Sequence, residues 1–410
     1  MPEFLSLVTP EEALRRLNTH LRTLVGVELV PVVDALGRTI AGEVRSPEDL
    51  PAFARSTMDG YAVRASDTYG ASEGLPAYLH VVGEMPMGKR ASLTVRKGEA
   101  VKVHTGGALA DGADAVVMVE NTQPAGADTI EVSRPLAPGE NILNVGDDIK
   151  QGNLLFASGR VLGPQDIGAM TALGITRASV FARPRVAIIS AGDEVIPPEA
   201  TPLPGQVRDI NTYTLSGLVR QAGGEPMPRG IIRDDAAALE AAARQALAEA
   251  EVVVISSGSS VSTRDMTAGV ISSLGQPGVL VHGVSLRPGK PTILAVVDAK
   301  PVFGLPGNPV SAMVVFDLFV RPTIYRVGGC PQPPLRPVVT ARLARNIAST
   351  TGREDYVPVA LEVKDGEYLA TPIFGESNLI TRLVRADGLA KIPLDKHGLT
   401  AGEMVSVRLF

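Results

Sequence analysis

The chain lacks most of what several common chemistries require. Its single cysteine, Cys330, cannot form an intrachain disulfide and cannot alone build a zinc or iron–sulfur site, so it reads as a free thiol in a linker. The five histidines are scattered and none neighbours a nucleophile motif, which argues against Ser-His-Asp catalysis. No dense Lys/Arg run interleaved with aromatics occurs, and the net charge is −5, so nucleic acid is excluded as a main partner. No stretch reaches the roughly 18 continuous apolar residues of a membrane span. Met1 to Pro10 has neither the basic start nor the apolar core of a signal peptide, so no membrane partner and a cytoplasmic location are expected. A Walker loop and a Gly-x-Gly-x-x-Gly motif are both missing, which removes P-loop nucleotidases and dinucleotide enzymes.

What is present is an ordinary globular composition, 45% hydrophobic and 20% charged, in a chain of 410 residues. At about 100–200 residues per domain this length suggests two to four domains. The plentiful glycines and prolines are spread out, which indicates many turns and short strands. Thr9-Pro10-Glu11-Glu12 predicts a helix start, with Thr9 as N-cap, Pro10 at the first helical position and Glu12 reaching back. Leu14, Leu17, Leu21 and Leu24 follow at helical spacing. From Tyr78 to Asn144, short apolar runs separated by Gly, Pro and Asp turns predict a small all-β module, and Gln165 to Leu173 a short helix.

Between Arg183 and Arg326 the rhythm becomes strand, helix, strand. Val186–Ile189 and Val252–Ile255 predict buried strands, and helices are expected from Asn211, from Ala236 to Ala250, around Thr267 to Leu274, and from Pro309 to about Tyr325. Such alternation implies an α/β fold with a largely parallel sheet and helices on both faces. Beyond the Pro/Gly linker 328–337, Asp365-Gly366 between two apolar runs predicts a hairpin, and Glu403 to Leu409 a last strand, giving a small C-terminal β domain.

In open α/β sheets, ligands bind outside the carboxyl ends of the strands. Five polar, glycine-rich segments are expected there: Gly192-Asp193-Glu194; Asp234-Asp235; Ser256-Ser257-Gly258-Ser259-Ser260 with Arg264 and Asp265; Arg287-Pro288-Gly289-Lys290-Pro291; and Leu305-Pro306-Gly307-Asn308-Pro309. Small residues let backbone N–H groups approach an anionic oxygen, and a following helix N-terminus adds a favourable dipole. Lys290 and Arg287 would supply charge for a phosphate or oxyanion. Glu194, Asp234 and Asp265 are hard oxygen ligands suited to Mg²⁺ shared with substrate phosphates. Each segment alone has a plainer reading, as a strand-to-helix turn, a helix N-cap at Asp234-Asp235, a solvated lysine or a rigid turn; their conjunction points to an anionic phosphorylated substrate.

These segments are also where a family resemblance emerges. Ser56-Thr57-Met58-Asp59-Gly60-Tyr61-Ala62, Thr105-Gly106-Gly107-Ala108, Asp114-Ala115-Val116-Val117, Gly146-Asp147-Asp148, Gly192-Asp193-Glu194, Asp209-Ile210-Asn211, Arg233-Asp234-Asp235, Pro288-Gly289-Lys290-Pro291 and Leu305-Pro306-Gly307-Asn308-Pro309 occur in the order found in MoeA-type molybdopterin molybdenumtransferases, relatives of the gephyrin E domain. The chain resembles that family over nearly its whole length.

The resemblance implies an elongated, multidomain homodimer. Residues 1–45 and 146–178 would form an N-terminal dimerisation domain and 46–145 an inserted β-rich domain. Residues 179–328 would form a MogA-like molybdopterin-binding α/β domain, and 335–410 a β-barrel-like C-terminal domain. It implies insertion of molybdenum from molybdate into adenylylated molybdopterin, with hydrolysis of the adenylate and release of AMP, Mg²⁺ assisting. A MogA-like adenylyltransferase would supply the substrate and molybdoenzyme maturation partners would receive the product.

By resemblance, Asp59, Thr105, Glu194, Asp265 and Asp234 or Asp235 take catalytic positions, with Glu194, Asp234 and Asp265 toward the metal. Asp148, Ser257, Gly258, Ser259, Ser260, Arg264, Arg287, Lys290, Pro306, Gly307, Asn308, Pro309 and Ser377 would line the cofactor site. The sequence departs from the family in two places. Ser259 and Thr263 stand where glycines are usual, and Glu376 in Gly375-Glu376-Ser377 puts a carboxylate where a small polar residue is common. The altered loop keeps two further readings in view, a carrier or scaffold paralogue that binds the cofactor without transferring metal, and a tungsten-specific transferase.

Overall fold

The computed structural model describes residues 7–89, 91–258 and 261–410, without the side chains of 261–264. Two compact units share the chain: one takes in the chain up to Gly42, Gly159–Gly163 and Arg177–Phe410, the other Glu43–Ser158 and Pro164–Thr176.

The first helix, Pro10–Asn18, begins as its sequence dictates, with Thr9 Oγ1 accepting from the Glu12 N–H at 3.2 Å. The reciprocal half of the capping box does not form. The Glu12 carboxylate accepts instead from Arg15 at 2.7 and 2.8 Å and from Arg16 at 2.6 Å, because two guanidiniums one turn ahead outcompete a single backbone N–H. The helix also ends before Leu21 and Leu24, yet both reach the apolar core that buries Ala13 and Leu17. Strand Val27–Pro31 pairs with Arg177–Phe181, Val44–Arg45 pairs with Leu154–Phe156, and the residues up to Gly42 share a compact unit with the α/β layer.

The α/β layer is built from β1 (Arg185–Ala191), α1 (Asn211–Gln221), β2 (Glu225–Ile232), α2 (Ala236–Glu249), β3 (Val252–Ser257), α3 (Val261–Ser273), β4 (Pro277–His282), β5 (Ile293–Val297), β6 (Lys300–Pro306) and α4 (Pro309–Val315). The sheet order is β2-β1-β3-β6-β5-β4, with only β5 antiparallel to its neighbours. Alternate residues serve opposite layers, as period-two geometry requires. Val186 and Ile188 join Leu215, Val219 and Phe303 on one face, and Ala187 and Ile189 join Leu239, Ala243 and Ile271 on the other. The expected doubly wound arrangement is thus present. The last expected helix is interrupted: a π-helical turn, Phe316–Val320, separates α4 from Arg321–Val327. It holds Asp317, which pairs with Arg336 at 2.8 Å and Arg408 at 2.9 Å.

In the C-terminal region the strands Val338–Leu343, Glu354–Lys364, Glu367–Pro372, Gly388–Ile392 and Met404–Leu409 close on themselves, since Glu354–Lys364 pairs with both Glu367–Pro372 and Gly388–Ile392. Closure removes exposed strand edges. The hairpin turn falls at Asp365-Gly366, both with positive φ, as a type I′ turn demands. Leu286–Arg287 adds to this barrel in parallel, opposite Glu354 and Asp355.

The second unit is a β module with sheet order Ala115–Met118, Gly60–Val63, Glu99–Val103, Ala77–Glu84, Thr129–Val132 and Thr122–Pro124, together with helix Pro164–Ala172. Its apolar cores form around Val63, Leu79 and Val117, and around Met85, Val101 and Val116.

Candidate functional site

Because β1, β2, β3, β4 and β6 run parallel, the segments that follow them, beginning at 192, 233, 258, 283 and 307, emerge along one edge of the sheet. Packing of these loops explains Gly307. A Cβ there would come 2.8 Å from the Ser257 carbonyl oxygen, so two neighbouring loop backbones can touch only if residue 307 is glycine. Asn211, at the start of α1, ties the same loops together by donating from Nδ2 to Ser256 Oγ at 2.7 Å and to the Gly307 carbonyl at 2.8 Å. Ser257 is buried, and its Oγ accepts from Thr267 Oγ1 at 3.2 Å, so its hydroxyl serves the strand-to-helix turn.

Where this edge meets the barrel there is a cavity of about 830 Å³. Arg287 comes from the short strand that joins the barrel, Lys290, Pro306, Asn308 and Ser311 from the α/β side, and Arg353, Asp355, Glu376, Ser377 and Arg382 from the barrel side. The two sides are stitched directly. Asn308 Nδ2 donates to Ser377 Oγ at 2.9 Å, and the Val310 N–H donates to the Ser377 carbonyl at 3.1 Å. Pro309, at the first position of α4, fixes this approach and is itself buried.

The cavity is electropositive. Arg287, Lys290, Arg353 and Arg382 face two carboxylates, Asp355 and Glu376. Asp355 is buried and already engaged, accepting from Arg353 Nε at 2.9 Å and standing 3.9 Å from Arg287. Arg382 donates to the carbonyls of Ile373, Gly375 and Glu376, and partial burial lowers the pKa of its guanidinium. Nearby, burial pushes the Tyr356 hydroxyl up, and it donates to Glu354 Oε2 at 2.7 Å. A wall of cations and hydroxyls on rigid elements suits a small oxyanion.

Family signatures match the chain in three segments: "MoeA N-terminal region (domain I and II)" over residues 8–174, "Probable molybdopterin binding domain" over 187–326, and "MoeA C-terminal region (domain IV)" over 340–410. A molybdopterin molybdenumtransferase of Nostoc sp. is 34% identical, covering 93% of this chain and 88% of its own. The chain belongs to the MoeA family. A molybdopterin molybdenumtransferase 2 of Mycobacterium tuberculosis is also 34% identical, over 92% of this chain and 94% of that one. The crystal structure of a molybdopterin biosynthesis MoeA protein from Pyrococcus horikoshii superposes with a TM-score of 0.83 at 32% identity, covering 99% and 100% of the two chains. Membership accounts for the MoeA-type order of folded regions and places the protein in molybdenum cofactor biosynthesis.

The carboxylates that the MoeA resemblance marks lie outside the cavity. Glu194 is half-buried on the turn after β1, where a Cβ on Gly192 would come 2.6 Å from its Oε2. Asp234 is exposed, and its N–H donates to Asp193 Oδ1 at 3.3 Å. Asp235 is the N-cap of α2, accepting from the Ala238 N–H at 2.7 Å, which gives it a structural duty. Asp265 is exposed on α3. Among the described residues, no three His, Cys, Asp or Glu side chains converge enough to hold a metal alone. Dispersed carboxylates of this kind suit Mg²⁺ held jointly by one or two protein oxygens, water and substrate phosphates rather than a closed protein cage.

In the other unit, Asp59 and Thr105 are adjacent: Asp59 Oδ1 accepts from the Thr105 N–H at 2.8 Å. That hydrogen bond holds the Asp59 carboxyl below the usual aspartate range, and His104 adds to the effect. Asp148 is exposed, its N–H bonded to the Leu50 carbonyl. Gly258 follows β3 half-buried, while Ser259, Ser260 and the Arg264 side chain lie outside the described residues. Sequence reasoning missed Arg353, Arg382 and Ser311. Ser311 follows a marked proline by two positions; the two arginines carry no local signal, because only barrel closure brings them to the sheet edge.

Proposed function

We propose that the protein inserts molybdenum, supplied as molybdate, into adenylylated molybdopterin, hydrolysing the adenylate linkage and releasing AMP. The observation that carries this reading is the electropositive, hydroxyl-lined cavity at the sheet edge, sized for a tetrahedral oxyanion with part of an organic substrate. Relatives of this length are named molybdopterin molybdenumtransferases. Lys290, Arg287, Arg353 and the hydroxyls of Ser311 and Ser377 hold the oxyanion. One or two of Glu194, Asp234 and Asp265 would hold Mg²⁺ together with the substrate phosphates, where the ion would supply charge neutralisation at the linkage being broken. Asp59, Thr105 and Asp148 take their family roles in a homodimer, for which the exposed Val27, Leu29, Val33 and Leu36 offer an apolar contact surface. The adenylylated substrate comes from a MogA-like adenylyltransferase, and the reaction belongs to the cytoplasm. No helix among the described residues is long and apolar enough to cross a membrane.

The test is a defined assay with purified protein, adenylylated molybdopterin, Mg²⁺ and molybdate, following AMP release together with metal on the cofactor. Coupled release and insertion that vanish without Mg²⁺ support the reading. Binding of the cofactor with no AMP release, with molybdate and tungstate alike, overturns it in favour of a carrier. Turnover with tungstate alone makes the enzyme tungsten-specific.

A further inference from the structure

The cavity contains one charge of the wrong sign for its proposed occupant. Of its two carboxylates, Asp355 is buried and paired with Arg353, so it belongs to the wall. Glu376 is exposed, and among the described residues no ion pair absorbs its charge. The chain nonetheless fixes where Glu376 stands. Arg382 Nε and Nη2 donate to the Ile373 carbonyl at 3.1 and 2.6 Å, and Nη1 donates to the carbonyls of Gly375 and Glu376. Gly375 has a φ of +144°, and a Cβ on it would come 3.0 Å from Arg382 Cδ, so the loop folds this tightly onto the guanidinium only with glycine there. The Leu379 N–H, donating to the Glu376 carbonyl at 3.2 Å, closes the turn. The next residue, Ser377, is bonded to Asn308 on the opposite wall. Glu376 therefore sits on a braced rim segment, and its charge acts on Arg382 in the opposite sense to that of Arg287.

Resting on the oxyanion reading of this cavity, we infer that Glu376 is a charge selector: a fixed negative rim charge that weakens the hold on divalent tetrahedral anions more than on monovalent ones, keeping the bound dianion exchangeable. The reason is Coulombic. Repulsion between Glu376 and a bound anion scales with the anion's charge, so the free-energy effect on a dianion is twice that on a monoanion of the same size and position. A steric or hydrogen-bonding role for the same side chain would act on both alike.

Molybdate and perrhenate are tetrahedral, similar in size, and differ by one unit of charge. Their affinities for the full-length protein are measured by calorimetry at low and high salt, for the wild type, Glu376→Gln and Lys290→Ala. Glu376→Gln should raise perrhenate affinity roughly twofold and molybdate affinity by the square of that factor, roughly fourfold, with both gains shrinking as salt screens an exposed charge. Thermal melts of the isosteric Gln variant matching the wild type separate this effect from folding. Equal factors for the two anions, or no change for either, while Lys290→Ala abolishes binding of both, overturn the selector and leave the oxyanion site standing. Failure of the wild type and of Glu376→Gln to bind any tetrahedral anion overturns the oxyanion reading and the selector with it.

Discussion

The cavity and the open sheet edge beside it share one set of loops, yet they are built on different principles. In the cavity part of the polar wall is held before any ligand arrives, Arg353 by Asp355, Arg382 by three carbonyls and Ser377 by Asn308, while Arg287 and Lys290 stand exposed beside it. On the open edge, Asp234 and Asp265 are exposed and Glu194 is half-buried, with no shared centre among the described residues. Preorganised donors act without reorganisation when charge appears, whereas dispersed carboxylates need a cation to gather them. On the proposed function, the cavity would hold the oxyanion and the open edge would assemble around a cation carried with the substrate phosphates.

This contrast predicts that binding and turnover separate by region. The largest effect is expected for Asp265→Ala, with transfer falling on the order of 10²-fold or more while calorimetric molybdate affinity stays within a factor of two. Parallel loss of both would erase the distinction. Next comes Lys290→Ala, which should cost the oxyanion at least roughly tenfold in affinity, the worth of one charge-assisted hydrogen bond. Unchanged molybdate binding in that variant would move the oxyanion out of the cavity. Smaller again is the split between adjacent aspartates. Asp235→Ala should lower stability by about 1 kcal/mol through loss of the α2 N-cap, read by denaturant titration, and leave transfer intact. Asp234→Ala should lower transfer, and an Asp235→Ala variant as stable as the wild type would remove the structural assignment of Asp235.

The smallest effect concerns Asp59 in the other unit. Its carboxyl is held below the usual range chiefly by the Thr105 N–H. Because the folded pKa is the lower one, the stability it contributes is present above the unfolded pKa and is lost as pH falls through the folded value. An NMR titration should place the Asp59 midpoint below that of an aspartate in an unstructured peptide. Replacing Thr105 with proline, which removes the N–H, should raise it.

Much of the α/β layer was legible because strand and helix periods differ. Val252–Ile255 could only be a buried strand, and an Ala-rich run after Asp234-Asp235 could hardly be anything but a capped helix. The loops at the strand ends followed from that alternation. What escaped the sequence depended on competition or on distance. The Glu12 carboxylate went to two arginines instead of a backbone N–H, which no spacing rule decides. The π turn at Phe316–Val320 replaced part of a helix whose apolar pattern continues unbroken through it. The second wall of the cavity was invisible because Arg353 and Arg382 are more than 60 residues from Lys290 and arrive only when the barrel closes against Leu286–Arg287. Gly307, expected to make room for a ligand, makes room first for the Ser257 carbonyl.

That short parallel pairing has a mechanical consequence. Leu286 and Arg287 pair by their backbone with Glu354 and Asp355 of the barrel, while the Leu286 side chain lies in the apolar core of the α/β layer and the Lys290 carbonyl accepts from the Val284 N–H at 2.9 Å. One dipeptide therefore belongs to both layers at once, its backbone to the barrel and its leucine to the core under the sheet, and Arg287 and Lys290 reach the cavity from that common seam.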